Sequence, residues 1–390
     1  MRYASVTERL AGLGGAKWEL HLRARTLKAE GRDIIALTIG EPDVPTPTEL
    51  ADVAAAAMHA GRTGYSNGRG EPGLLKALAD RYTARLGRTI GRDQILCFPG
   101  TQTTLYAVLM GLVETGNEVL LGDPLYATYE GLIASSGARA VPVALRPENG
   151  FRLQAKDLAA KITPNSRMIL INSPHNPTGA VLQREDIAAI GALAIEHDLW
   201  IIADEVYEDL VYDGVTFTSP LADPALADRV IVASSLSKSH AAPGFRSGWC
   251  VGPAAFCDRL LPVSETMLFG NQPFIADMTA AAVSAPSPVA AGMRARFAAR
   301  AARLHAGLDG VGGLRVHRPE SGMFALIDVR ATGLSGEDFA RGLLEKAGVG
   351  VMPGESFGTS LRGWVRVGLT APDDQIDAAI TRIAAHVASA

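Results

Sequence analysis

The stretch SSLSKSHAAPGFRSGW (residues 234–249) sets Lys238 among serines and small residues, with Arg246 eight positions on. It follows the apolar run VIVAS (230–234) directly. A lysine in that setting suits an amine nucleophile that forms an imine with a carbonyl, beside hydroxyls and a guanidinium that bind phosphate. LWIIADEVY puts Asp204 just past a second apolar run, with Tyr207 expected one helical turn further. A carboxylate at an apolar sheet edge needs a cationic partner, and a protonated pyridine nitrogen would serve. INSPHNPTG sets Asn176 in a Pro-rich loop after a third run. CFPGTQTT opens a helix with Gly100, Thr101 and Gln102, whose free N–H groups make an anion site.

Singly, each of these groups has a plain structural explanation: a solvated lysine, a strand-end carboxylate, a turn asparagine. Together they occupy four strand ends, where parallel α/β sheets build their sites. A competing signal, G-x-G-x-x-G at Gly68, Gly70 and Gly73, is the glycine pattern of dinucleotide sites. That reading requires a strand before the first glycine, and MHAGRTGYSN is not one. The glycines are read instead as a turn before a helix that opens near Pro72.

These groups need elements to hold them. From about residue 90, the short apolar runs ILCF, EVLLG, MILIN, LWIIA, VIVAS and GWCVG alternate with helical patterns. That alternation predicts a mostly parallel sheet covered on both faces. The ends differ. Residues 1–47 carry a helix (about 17–30), a short strand (34–37) and a Pro-rich loop. Beyond about 286 come a long Ala/Arg helix, strands near 323–329, 349–352 and 364–369, and helices near 336–347 and at the C-terminus. The expectation is a large α/β domain at 48–285 and a smaller α+β domain built from 1–47 and 286–390.

With 390 residues and 47% hydrophobic content, the chain can bury sizeable cores. A formal charge of −4 gives no basic field for nucleic acid or an anionic membrane. The arginine cluster at 294–303 reads as a solvated helix face. Three cysteines without motif spacing argue against a disulfide framework or a zinc site. No run of 18 apolar residues and no apolar N-terminal leader is seen, so a cytoplasmic protein is expected.

The same residues, in the same order, resemble the class I/II, fold-type I aminotransferases that depend on pyridoxal 5′-phosphate. The resemblance rests on GEPD (40–43), NPTG (176–179), DEVY (204–207), S-L-S-K-x7-R (235–246) and RVGL (366–369), and it spans essentially the whole chain. It implies a seven-stranded, mostly parallel sheet between helices, and a homodimer with shared sites. Position by position, it implies Lys238 as the lysine that holds the cofactor and moves the proton, with Asp204 on the ring nitrogen. Tyr207 and Asn176 would meet the ring oxygen, and Tyr126 would stack on the ring. Gly100, Thr101, Gln102, Ser235, Ser237 and Arg246 would hold the phosphate. Arg366 would grip the substrate carboxylate in a pocket lined by Gly40, with Asn176 nearby. Tyr65 would reach the neighbouring subunit's phosphate. One departure is Ser247, where the family usually has an aliphatic residue; a local packing change is expected.

For the substrate, 265–278 occupies the region that helps set side-chain specificity, and it carries no arginine for a dicarboxylate. MRYASVTERLAG, SPHNPTGA, LSKSHA and MLFG resemble the arginine–pyruvate aminotransferases, which implies a basic or broad donor with pyruvate as acceptor. Alternatives are an aspartate/aromatic-type aminotransferase, a C–S β-lyase on the same cofactor, and a non-catalytic protein that keeps the fold.

Overall fold

The computed structural model describes residues 1–13, 16–267 and 270–389. After a two-residue strand β1 (Ile35–Ala36), seven strands build the central sheet. They are β2 (Ile95–Phe98), β3 (Glu118–Asp123), β4 (Arg139–Ala144), β5 (Ser166–Asn172), β6 (Trp200–Asp204), β7 (Val230–Ser235) and β8 (Gly248–Val251). Their order is β2-β8-β7-β6-β5-β3-β4. The run from β4 to β7 is parallel, whereas β8 lies antiparallel to both β2 and β7. The central strands are buried on both faces, β7 along all of Val230–Ser235, so both residue parities are apolar.

Six of the seven strands match the apolar runs. The seventh, β4, is an edge strand with alternating exposure and a proline, Pro142, which tolerates an edge but breaks the apolar signature. Asp204 is the last residue of β6, in register with Asn172 and Ala233, and not one position beyond it. Tyr207 stands in a turn before the short 3-10 helix Glu208–Leu210, because the chain does not enter an α-helix there. The helix expected near Tyr126 starts at Tyr129, after a turn closed by the Tyr129 N–H on the Tyr126 carbonyl (3.0 Å).

A second core joins residues between Leu20 and Leu37 with residues between Ala290 and Ile383. It covers one face of a four-stranded sheet of β9 (Arg315–His317), β10 (Phe324–Asp328), β12 (Met352–Pro353) and β13 (Trp364–Gly368). Its neighbour β11 (Val349–Gly350) pairs with β1 in parallel, tying N-terminal to C-terminal chain. The arginine cluster at 294–303 is not a solvated face. Arg300 is buried, and Arg296 and Arg300 both grip Asp43. Periodicity cannot reveal this, because the acceptor lies some 250 residues away in sequence.

Ser247 is accounted for. Its buried hydroxyl lies 2.6 Å from Thr279 Oγ1 and accepts from Asn271 Nδ2 (3.4 Å), which also donates to the Phe98 carbonyl. A polar pair thus replaces an apolar contact. The three cysteines are free, buried thiols, with Cys250 and Cys257 in hydrogen-bond contact. No helix among the described residues is long and apolar enough to cross a membrane.

Where β8 passes β2, Gly248 lets two backbones meet: a Cβ there would lie 2.5 Å from the Gly100 carbonyl carbon and 2.8 Å from Thr101 N. Neither atom can rotate away. Gly248→Ala should therefore cost about 1–3 kcal/mol, the usual range for overpacking. A urea denaturation midpoint equal to that of the parent would contradict this contact.

Candidate active site

The carboxyl ends of the parallel strands open into a cleft of about 300 Å³, closed from above by the loop after β1 and by β13. Lys238 sits in the one-turn helix Leu236–Ser239 immediately after β7. Ser235 caps that turn, its hydroxyl accepting from the Ser237 amide (3.3 Å). The Lys238 ammonium donates to the Gly40 carbonyl (2.7 Å). Burial pulls Lys238 down from 10.5 to about 8, while the Glu41 carboxylate works in the opposite direction.

Asp204 is buried at the end of β6. Its Oδ2 accepts from the Tyr129 hydroxyl (2.7 Å) and its Oδ1 from the Val206 amide (3.2 Å). Burial raises it to about 6, against those two hydrogen bonds. Its direct hydrogen-bond donors are thus neutral. Tyr129 was missed in the sequence reading; the i, i+3 pairing of Tyr126 with Tyr129 in one turn was the available signal. The two rings meet edge to face at 5.5 Å, which sets Tyr126 against the cleft.

Asn176 is placed by a folded loop. Its amide N–H donates to Asn172 Oδ1 (2.8 Å), and Asn172 Nδ2 donates to the carbonyls of Pro174 and Asp204. The Asn176 side chain then donates to the Tyr207 hydroxyl (3.4 Å), bringing both residues to the cleft wall.

At the opposite end, the helix Thr101–Leu112 points its N-terminus into the cleft. Gly100 has φ +84, and a Cβ on it would lie 2.3 Å from Arg246 Nη2, so only glycine lets that guanidinium approach the helix start. Thr101 Oγ1 is buried without a hydrogen-bond partner. Gln102 lines the cleft and accepts from Thr128 Oγ1 (3.1 Å). A helix N-terminus, an arginine and a spare hydroxyl together form an anion cradle.

Arg366, on β13, is the third element. It is 2% exposed and forms no ion pair with any described residue. Nη2 donates to the Thr38 carbonyl (2.7 Å) and Nη1 to Asn176 Oδ1 (3.2 Å), while Nε is buried without a partner. The guanidinium stacks on the rings of Phe324 (3.9 Å) and Phe357 (4.3 Å). Burial lowers it to about 9. A buried cation held only by carbonyls and rings is suited to receive a carboxylate. The sequence offered no sign of the two phenylalanines.

Of the site residues expected from sequence, all but Gly100 and Tyr65 line the cleft; Gly100 lies directly behind Arg246, whereas Tyr65 is 94% exposed on the single chain. Leu268 and Phe269, within the specificity segment and the MLFG resemblance, lie outside the described residues. No group of three or more His, Cys, Asp or Glu among the described residues is placed to hold a metal ion.

Residues 32–383 match the family model described as aminotransferase class I and II. An arginine–pyruvate transaminase, AruH, from Pseudomonas aeruginosa is 43% identical over 384 residues, covering 98% of both chains. An aspartate aminotransferase from Musicola paradisiaca is 32% identical, over 97% of this chain and 96% of its own. Among solved structures, an aspartate aminotransferase from Rhizobium meliloti superposes with TM-score 0.94 at 28% identity, covering 100% of this chain and 99% of its own. An aspartate aminotransferase from Thermus thermophilus with maleate gives TM-score 0.92 at 29% identity, covering 99% and 100%. The strand-end constellation, the sheet order and these similarities agree: the chain belongs to the class I and II aminotransferases, and is an aminotransferase close to the arginine–pyruvate transaminase branch.

Proposed function

We propose that this aminotransferase moves the α-amino group of a basic L-amino acid, or of a broad set including arginine, to pyruvate, with pyridoxal 5′-phosphate as its cofactor. The observation that carries the reading is Arg366, a buried guanidinium without a carboxylate partner among the described residues, in the same cleft lining as the half-buried Lys238 amine. The cleft also fits the cofactor's charge pattern. Asp204 lacks a hydrogen-bonded cation and suits a protonated ring nitrogen. The spare Thr101 hydroxyl and Arg246 suit a phosphate.

When bound, pyridoxal 5′-phosphate supplies the electron sink that amino-acid Cα deprotonation requires. The chain does the rest. Asp204 keeps the ring nitrogen protonated, and Asn176 with Tyr207 hydrogen-bonds the ring oxygen. Tyr126 packs on the ring face. Gly100, Thr101, Gln102, Ser235, Ser237 and Arg246 hold the phosphate. Arg366 grips the α-carboxylate with its paired N–H groups, in a pocket bounded by Gly40, and so fixes Cα. Lys238, whose amine is neutral at lower pH than a free lysine, then takes and returns the Cα proton. One 2-oxo acid leaves before the other binds, so the kinetics should be ping-pong.

The donor assignment is supported by the relative named arginine–pyruvate transaminase. It is also supported by the lining of the cleft, where Arg246 and Arg366 are the only arginines among the described residues. A second substrate carboxylate therefore lacks a dedicated partner on this chain. We read 48–285 as the cofactor-binding domain and the two termini as the smaller one. We also infer a homodimer in which Tyr65 reaches the partner's phosphate, in keeping with its exposure here.

Purified enzyme given a panel of amino acids with pyruvate or 2-oxoglutarate should form alanine from arginine and pyruvate. Good turnover of aspartate with poor turnover of arginine would refute the donor assignment. Tyr65→Phe should weaken cofactor retention in dialysis while leaving the denaturation midpoint unchanged. A fully active monomer in sedimentation would rule out the shared site.

A further inference from the structure

Arg300 is a buried arginine outside the cleft lining that touches both chain segments that close the cleft. Its Nη1 donates to Asp43 Oδ2 (2.8 Å) and to the Leu369 carbonyl (2.9 Å), and its Nε donates to Asp373 (2.7 Å). Arg296 completes the hold with a two-pronged bond to both oxygens of Asp43 (2.8 Å each). Asp43 lies three residues after Gly40, whose carbonyl meets Lys238. Leu369 lies three residues after Arg366.

The segment 38–43 is thus tethered at both ends. At its start, Gly368 N–H donates to the Leu37 carbonyl (2.8 Å), and Arg366 itself donates to Thr38. At its far end, the hold is the Asp43 carboxylate between two guanidinium groups. The side chains of Asp43 and Arg300 are 7% and 6% exposed, so this ion pair is shielded from solvent, and the two-pronged bond from Arg296 fixes the Asp43 carboxylate's orientation. Burial acts to raise Asp43, but the two arginines outweigh it and hold the carboxyl below its ordinary range, so it stays charged.

We propose that Arg300 is a positioning residue: by holding Asp43 and the Leu369 carbonyl together, it sets the 38–43 loop against Arg366 and so tunes the pocket for the substrate α-carboxylate. This rests on the reading of Arg366 as the carboxylate receptor. The donor amino acid and the acceptor 2-oxo acid both present a carboxylate to that pocket. A displaced loop must therefore weaken both, whereas the cofactor contacts at Asp204 and Arg246 come from the central sheet and its helices, and the loop meets Lys238 through the Gly40 carbonyl alone.

The test uses the cofactor-loaded full chain and three variants. Arg300→Lys keeps the charge but cannot reach Asp43, the Leu369 carbonyl and Asp373 from one rigid planar group. Asp43→Asn keeps the shape but removes the charge, and serves if Arg300→Lys folds poorly. Arg366→Ala removes the proposed receptor itself. The expected result for the first two is a rise in KM on the order of 10- to 100-fold, by a common factor for donor and acceptor. The change in kcat should be smaller, and the visible absorbance of the lysine-bound cofactor should be retained. A merely structural role would instead lower stability and cofactor content without a shared KM factor, and that result would overturn the proposal. If Arg366→Ala raises KM and neither clamp variant does, the positioning role alone fails. If Arg366→Ala leaves KM unchanged, the receptor reading fails and the inference falls with it.

Discussion

Three ionisable groups, Lys238, Asp204 and Arg366, line one cleft, the last two buried and Lys238 half-buried, and none is paired with an opposite charge in contact. Each is held by neutral partners: the Gly40 carbonyl, the Tyr129 hydroxyl and Val206 amide, and the Thr38 carbonyl with the Asn176 side chain. Burying a charge without a counter-charge costs several kcal/mol even after relaxation. The directions follow, with Lys238 and Arg366 pulled down and Asp204 pushed up by desolvation. The rest of the fold maintains that arrangement until ligands of opposite charge complete it.

The scaffold divides the work. Parallel strands buried on both faces deliver Asp204 and the Lys238 turn from adjacent strands β6 and β7, so their separation is set by the sheet spacing. The reversed strand β8 lets Gly248 press on the start of the 101–112 helix. Arg366 arrives from a separate sheet with its own core, and the loop after β1 bridges the two. Side chains on rigid elements meet at a seam crossed by the Lys238–Gly40 and Arg366–Asn176 hydrogen bonds, and the buried Asp43 clamp holds the loop on the side of the second core.

The strand-end groups were legible in the sequence because each follows an apolar run closely enough for its strand end to be counted. Lys238, Asp204, Asn176 and Thr101 all stand where that count places them, within one residue. Contacts made across hundreds of residues left no such trace. The arginines at 296 and 300 read as surface charge, though they bind Asp43 from a distant helix. Phe324 and Phe357 carry no mark in the sequence, yet they flank Arg366. Tyr129 was obscured by Tyr126, which carries the family resemblance, while the hydroxyl that meets Asp204 belongs to its neighbour one turn on. Edge strand β4 escaped because partial exposure and a proline remove the continuous apolar signal.

The central claim is that burial lowers Lys238 far enough for an appreciable fraction of its amine to be unprotonated near physiological pH, and that this fraction captures the cofactor. Its direct test is the rate at which cofactor-free protein captures pyridoxal 5′-phosphate, followed by visible absorbance as a function of pH. Because only the unprotonated amine attacks a carbonyl, the rate should rise with pH around a midpoint at about 8, well below the ordinary 10.5 of lysine. Lys238→Ala should abolish it. A midpoint near 10.5, or capture that survives Lys238→Ala, would contradict the account.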